Sequence, residues 1–150
     1  MKMSLIVGSL LLSFIGFSQN TKQEKIAVRA VIDQFFEGMR LGDSAMVKKT
    51  VHPDIDLYTT YFDRNKQAQV ASDNIESFLE SIATPREEKW DERISNVEIK
   101  IEDNLATAWM DYTFYLDDFQ SHSGVNAFQL VKLNGKWLIL HITDTRRMGK

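Results

Sequence analysis

The sequence predicts an α+β fold, with helices gathered in the first half of the chain and an antiparallel meander filling the second. Apolar residues from Val28 to Met39 recur at helical spacing, and from Trp90 onward the spacing drops to every second residue. Asn134-Gly135, flanked by alternating apolar residues, is the strongest two-residue hairpin signal in the chain, because both residues tolerate the positive φ of a type I′ turn. The 150 residues, 43% hydrophobic and 11% aromatic, suit one globular domain with a sizeable core.

Taken in order, the chain opens with Lys2, a largely apolar run from Leu5 to Phe17, and the small residues Gly16 and Ser18. That pattern is a secretory signal cut before Gln19, so residues 1–18 are expected to be removed and residues 19–150 to form the single mature domain. The apolar run is too short to anchor the chain in a bilayer, and a secreted or periplasmic protein with no stable membrane anchor is expected. Thr21-Lys22-Gln23-Glu24 has the form of a capping box, which predicts a helix from that point. Val28, Val31, Ile32, Phe35, Phe36 and Met39 form its buried stripe, and Gly42 ends it.

Asp43 can cap a short second helix through Val47 and Thr50 that His52-Pro53 terminates. Ile55 to Phe62, β-branched and aromatic, reads as a strand. Asp73-Asn74-Ile75-Glu76 caps a third helix carrying Ile75, Phe78, Leu79 and Ile82 on one face, stopped before Pro85. Four strands follow, Ile94–Glu102, Leu105–Leu116, Gln120–Leu133 and Lys136–Thr145, separated by Asp103-Asn104, Asp117-Asp118 and Asn134-Gly135.

A two-residue turn at Asn134-Gly135 sets Leu130 opposite Ile139, Phe128 opposite His141 and Asn126 opposite Thr143. A second one at Asp117-Asp118 sets Trp109 opposite Asn126, Asp111 opposite Gly124 and Thr113 opposite His122. Alternation then gathers Thr107, Trp109, Asp111, Thr113, Tyr115, His122, Asn126, Phe128, Leu130, Trp137, Ile139, His141 and Thr143 on one face, apolar at one end and polar at the other. This is the composition of a core that opens into a pocket. The opposite face, with Ala106, Ala108, Met110, Tyr112, Phe114, Leu116, Val125, Ala127, Val131, Leu138, Leu140 and Ile142, is almost wholly apolar and predicts a covering partner, most simply a second copy of the chain. A bulge at Asp117-Asp118 would exchange the faces of Leu105–Leu116.

Charge narrows the function classes. Lys and Arg number 18 against 21 Asp and Glu, for a net charge of -3, which argues against a nucleic-acid partner. With no cysteine there is no disulfide framework, thiolate metal site or cysteine nucleophile. The histidines at 52, 122 and 141 lack metal-binding spacing, so no metal or other cofactor is expected. Ser121 and Ser123 flank His122 without a nucleophile elbow.

The helices, the Gly42-Asp43 junction, the stretch Ser121-His122-Ser123-Gly124-Val125-Asn126-Ala127-Phe128-Gln129-Leu130 and the ending Asp144-Thr145-Arg146-Arg147 resemble the nuclear transport factor 2-like superfamily. More narrowly they resemble its exported bacterial lumazine-binding and SnoaL-like members. The resemblance spans about residues 21–147. It implies a curved antiparallel sheet wrapped around the three N-terminal-half helices as a cone-shaped α+β barrel, a pocket inside it, and a homodimer through the outer sheet face. The superfamily includes ketosteroid isomerase, scytalone dehydratase, polyketide cyclases and non-enzymatic binding proteins. The isomerase's general base falls at Thr59, its helical tyrosine at Phe35 and its acidic oxyanion partner at Asn126. Isomerase chemistry of that kind is therefore not expected.

The expected function is binding of a small molecule, a flat aromatic of the lumazine kind being what the resemblance implies. Tyr58, Trp90, Trp109, Asp111, Tyr115, His122, Asn126 and His141 are the candidate ligand-binding residues. The alternative is a cofactor-free lyase or isomerase of dehydratase or cyclase type, with Asp111 or His122 as general base and Asn126 as oxyanion donor. The two pocket histidines of scytalone dehydratase give His122 and His141 a water-elimination reading. The binding reading is the one favoured, without demonstrated chemistry.

Overall fold

A computed structural model describes the backbone of residues 11–148 and the side chains of residues 21–148. The export signal expected over residues 1–18 lies largely outside the described residues. Helix α1 spans Leu11–Leu41, α2 Ser44–Lys48 and α3 Ile75–Ala83. The strands are β1 Val51–Phe62, β2 Ala68–Asp73, β3 Trp90–Glu102, β4 Leu105–Leu116, β5 Phe119–Leu133 and β6 Lys136–Met148. They form one curved six-stranded sheet in the order β2-β1-β6-β5-β4-β3, left unclosed, with β2 and β3 at its edges. All neighbouring pairs are antiparallel except β1 and β6, which run parallel.

The helices follow local signals. Val28, Ile32, Phe35, Phe36 and Met39 of α1 are buried, and Gly42 at φ +70 turns the chain out of the helix. The Asp43 carboxylate accepts from the Met46 N–H to cap α2, and the Asn74 side chain accepts from the Ser77 N–H to cap α3. The first boundary differs from expectation, since α1 starts at Leu11 and passes through Thr21. With helical residues upstream, Thr21 leaves no first-turn N–H groups to cap. Glu24 instead accepts from Lys132 Nζ at 2.6 Å and Trp137 Nε1 at 2.8 Å, tying α1 to the last hairpin.

β1 starts at Val51 and runs through Pro53, before the expected Ile55. Its pairing with β6 is interrupted between Val51 and Asp56, so the missing proline N–H is not called on. β2 was not expected: it is polar, pairs only with β1 and is mostly exposed.

Three single-residue bulges set the faces of the meander: one in β3 between Ser95 and Glu98, where Asn96 has φ 51, and one each in β5 and β6. The turn at Asp117-Asp118 has the expected geometry, with Leu116 opposite Phe119 and Tyr115 opposite Gln120. Ser121 is then an extra residue, and Phe114 pairs with His122, Tyr112 with Gly124 and Met110 with Asn126. Asn134 (φ 49) and Gly135 (φ 79) make the expected final turn. Leu140 is extra on β6, so Gln129 pairs with His141, Phe128 with Ile142 and Asn126 with Asp144.

Each bulge reverses inward and outward for the residues beyond it. Ala106, Ala108, Met110, Tyr112 and Phe114, expected outside, are buried. Trp109, Asp111, Thr113, Tyr115, His141 and Thr143, expected inside, lie on the outer face. Phe128, Leu130, Trp137 and Ile139 are buried as expected. The core lies between the concave face and α1, with Phe35 edge-on to Phe128 at 5.8 Å and stacked on Phe78 at 5.9 Å.

Candidate functional site

The concave face does not fill completely. Beyond Phe35, Phe36 and Phe128 a cavity of about 500 Å³ remains, walled by those rings with Met39, Leu57, Phe78 and Ile142. Its other end is polar, formed by Thr59, Glu92, Tyr112, His122, Asn126, Asp144 and Arg146. The bulges make this end, because the shift at Leu140 swings Asp144 inward beside Asn126 and the shift at Ser121 sets Tyr112 and His122 beside it.

Asp144 is densely hydrogen-bonded. Thr59 Oγ1 donates to its Oδ1 at 2.6 Å, the Tyr112 hydroxyl lies 3.1 Å from its Oδ2, and Arg146 Nε lies 3.8 Å from the same oxygen. The Tyr112 hydroxyl is also 3.0 Å from the Thr145 carbonyl. Burial, and then the Asp144 charge, push the Tyr112 phenol well above its ordinary range, so it stays a neutral donor. Gly124 stands opposite Tyr112 on β5. A Cβ at Gly124 would collide with the Thr145 carbonyl and come within 2.8 Å of the Tyr112 ring, so only glycine lets the ring cross to Asp144.

Glu92 sits near the start of β3, half-buried, and accepts from Asn126 Nδ2 at 2.8 Å. Burial raises its carboxyl to about 7; the Asn126 hydrogen bond opposes this and the Asp144 charge adds to it. His122 stacks on Phe114 at 4.8 Å, and its Nδ1 lies 3.0 Å from Ser121 Oγ. Burial, with the nearby Arg146 charge, lowers it to about 4, leaving a neutral imidazole at physiological pH. The polar end therefore offers a carboxyl titrating near neutrality, a neutral imidazole, an amide and a held carboxylate.

Of the residues singled out from the sequence, Tyr58, His122 and Asn126 line this cavity. Trp109 and His141 lie in a second pocket, of about 550 Å³, on the outer face, with Thr143, Gln129 and Lys100. Asp111 is also on that face, accepting from Asn96 Nδ2 at 2.8 Å, and pairs with Val125 rather than Gly124. The expected Asp111–His122 pair does not form, because the Ser121 bulge puts the two on opposite faces. Tyr115 lies under the Arg93 guanidinium at 4.2 Å, and Trp90 under that of Arg86 at 3.8 Å, away from the cavity.

Sequence reasoning missed Glu92, Tyr112 and Asp144. Glu92 faces inward because the bulge between Ser95 and Glu98, with Asn96 at φ 51, shifts the inner alternation from Val97, Ile99 and Ile101 to Ile94 and Glu92. No residue type marks the bulges that bring in the other two. Among the described residues no group of three His, Asp or Glu is arranged to hold a metal ion. No helix there is long and apolar enough to cross a membrane.

Residues 23–143 match the family model described as "Putative lumazine-binding". Among solved structures, the chain is similar to an NTF2-like protein with a cystatin-like fold from Novosphingobium aromaticivorans, at 10% identity and a TM-score of 0.75 over 95% of this chain and 94% of that one. It is also similar to an NTF2-like protein of unknown function from Shewanella baltica, at 19% identity and a TM-score of 0.63 over 85% and 96%. A third is a "putative dehydratase from the NTF2-like family" of Streptomyces avermitilis, at 12% identity and a TM-score of 0.64 over 85% and 99%. No curated protein matches the sequence significantly. With the match over most of its length, the chain belongs to the family described as "Putative lumazine-binding", and its helices and open sheet have the fold of the NTF2-like structures.

Proposed function

We propose that the protein is exported and binds a small, flat, partly apolar molecule in the concave-face cavity. One observation carries this reading: a space of about 500 Å³ with an aromatic wall at one end and a compact set of polar groups at the other. That combination buries a ring system while fixing its orientation by a few hydrogen bonds. Export rests on the N-terminal pattern ending at Ser18. The homodimer expected through the outer sheet face is kept as part of the proposal, but the apolar strand face that predicted it is the buried inner one, and the outer face presents Trp109, 55% exposed, among polar residues.

The test is binding of the neutral fluorophore N-phenyl-1-naphthylamine to the full chain and to Ala71→Trp, which places an indole at the cavity wall. The proposal expects saturable binding that the substitution abolishes. Equal binding by both proteins overturns it. For the dimer, light scattering that shows a monomer at micromolar concentration is the contrary result. Intact mass of the exported protein tests the cut before Gln19, and a mass that includes residues 1–18 contradicts it.

A second reading, cofactor-free acid–base catalysis of the lyase or isomerase type, is favoured by Glu92, whose carboxyl titrates near neutral pH inside the cavity. It moves the base from Asp111, which faces outward, to Glu92. This reading expects turnover on a panel of hydroxylated aromatics and activated carbonyl compounds that is lost in Glu92→Gln. Turnover unchanged by that substitution contradicts it.

A further inference from the structure

The cavity holds two carboxyl groups that the fold treats in opposite ways. Asp144 has the Thr59 and Tyr112 hydroxyls and the Arg146 guanidinium around it. Glu92 has one hydrogen bond, from Asn126 to Oε1. Among the described residues no fully buried side-chain oxygen lacks a partner, so the unbonded Oε2 is accessible, and Glu92 is one of the residues that line the cavity.

The surroundings of Glu92 hold it in this state. β6 presents Asp144 and Arg146, β5 His122 and Asn126, β4 Tyr112, and β1 Tyr58, Thr59 and Tyr61. α1 and α3 bring only Phe35, Phe36, Met39 and Phe78 to the cavity, and β2 brings the exposed Asp73 to its rim. On α1, Glu37 and Arg40 pair with each other, and their further charged neighbours are Lys89 and Asp91. A protonated Glu92 shows the cavity a carbonyl acceptor and an O–H donor side by side. An ionised Glu92 shows acceptors only.

We propose that Glu92, oriented by Asn126, selects the ligand: it takes flat, uncharged molecules whose edge carries an N–H donor next to a C=O acceptor, as in a cyclic amide or cyclic urea, and rejects anions. The ligand N–H donates to Glu92 Oε1, which has a second lone pair beyond the one Asn126 uses, and Glu92 Oε2–H donates to the ligand carbonyl. An anion would lose that donor on ionisation of Glu92, and the Arg146 cation in the cavity is already paired with Asp144. The inference rests on the cavity being the ligand site.

Calorimetry of the full chain with 2-quinolone, N-methyl-2-quinolone and quinoline-2-carboxylate at pH 6 and pH 8 tests it, alongside N-phenyl-1-naphthylamine as a reporter of the cavity itself. Because Glu92 titrates near 7, 2-quinolone should bind about tenfold more tightly at pH 6 than at pH 8. N-methylation should weaken it at least about tenfold at pH 6 by removing the donor. Quinoline-2-carboxylate should bind more weakly than 2-quinolone at both pH values.

Glu92→Gln, whose amide keeps a donor and an acceptor, should bind 2-quinolone equally at both pH values. Glu92→Leu should lose that binding while still taking up the fluorophore, which shows that it is folded. If the wild type binds the fluorophore but 2-quinolone fails to bind, or binds independently of pH or of N-methylation, the selector is overturned and the cavity reading stands. If the fluorophore is not taken up, or Ala71→Trp leaves its uptake unchanged, both are overturned.

Discussion

The two faces of strands β4, β5 and β6 carry much the same chemistry in different settings. The inner face has Tyr112, His122, Asn126 and Asp144; the outer face has Trp109, His141, Gln129 and Asp111. Inside, an amide, an imidazole and a carboxylate meet around one cavity beneath α1, and burial shifts His122 to about 4 and Glu92 to about 7. Outside, Trp109 is 55% exposed, and Asp111 is satisfied by Asn96 on the neighbouring strand. Burial of the polar side chains, more than residue type, separates the two faces, and three bulges decide which residues are buried.

The largest expected contrast is in stability. Phe128→Ala, which removes a ring 2% exposed on the inner face, should cost about 3–5 kcal/mol in urea unfolding. Trp109→Ala on the outer face should cost under about 1 kcal/mol. Gly124→Ala should be as damaging as Phe128→Ala, because its Cβ would strike the Thr145 carbonyl and the Tyr112 ring. Comparable costs on both faces would mean that the register beyond Ser121 is misassigned.

The next contrast is in pH dependence. Glu92 is raised from 4.5 to about 7 on folding, so its contribution is fully present below 4.5 and is lost as pH rises through 7. His122 is lowered from 6.5 to about 4, so its contribution is present above 6.5 and is lost as pH falls through 4. Between pH 4.5 and 6.5 the two oppose each other and the wild type should change little on their account. Glu92→Gln should lose stability on acidification across that window, by well under the ~1.4 kcal/mol per pH unit of a fully buried group, because solvent screens the partly exposed His122. His122→Gln should gain it by a similar amount. Parallel profiles for the two variants, followed by urea unfolding at several pH values, would break the assignment.

A smaller effect separates the two amides. Asn126→Leu removes the hydrogen bond that favours ionised Glu92 and should raise its titration further above 7, by about one unit. Gln129→Leu, across the sheet, should leave it in place, as followed by carboxyl carbon NMR. Smallest of all, Asp111→Asn should change stability by no more than about 0.5 kcal/mol and leave fluorophore binding unaltered.

What was legible in the sequence was local. The stripe from Val28 to Met39, the caps Asp43 and Asn74, the Gly42 terminus and the Asn134-Gly135 turn each announce themselves within a few residues, because their physics is short-ranged. β2 had no such mark: it is short, exposed and held by pairing with β1 alone. The bulges at Ser121 and Leu140 carry no glycine or proline to betray them. Each depends on how two strands fit over a core, and each reverses every side chain beyond it. The pocket was therefore legible as a pocket, and His122 and Asn126 as residues of its wall, while Trp109, Asp111 and His141 were assigned to the wrong face. Glu92 lay two residues before the expected start of its strand.

The central claim, that ligand recognition belongs to the inner face and turns on Glu92, is tested most directly by titrating 2-quinolone into isotopically labelled protein at pH 6 and following each backbone amide by NMR. Shifts should concentrate at Glu92, Asn126, Phe128 and Asp144, with Trp109, Gln129 and His141 unmoved. Shifts centred on Trp109 and His141, with Glu92 and Asn126 silent, would contradict it.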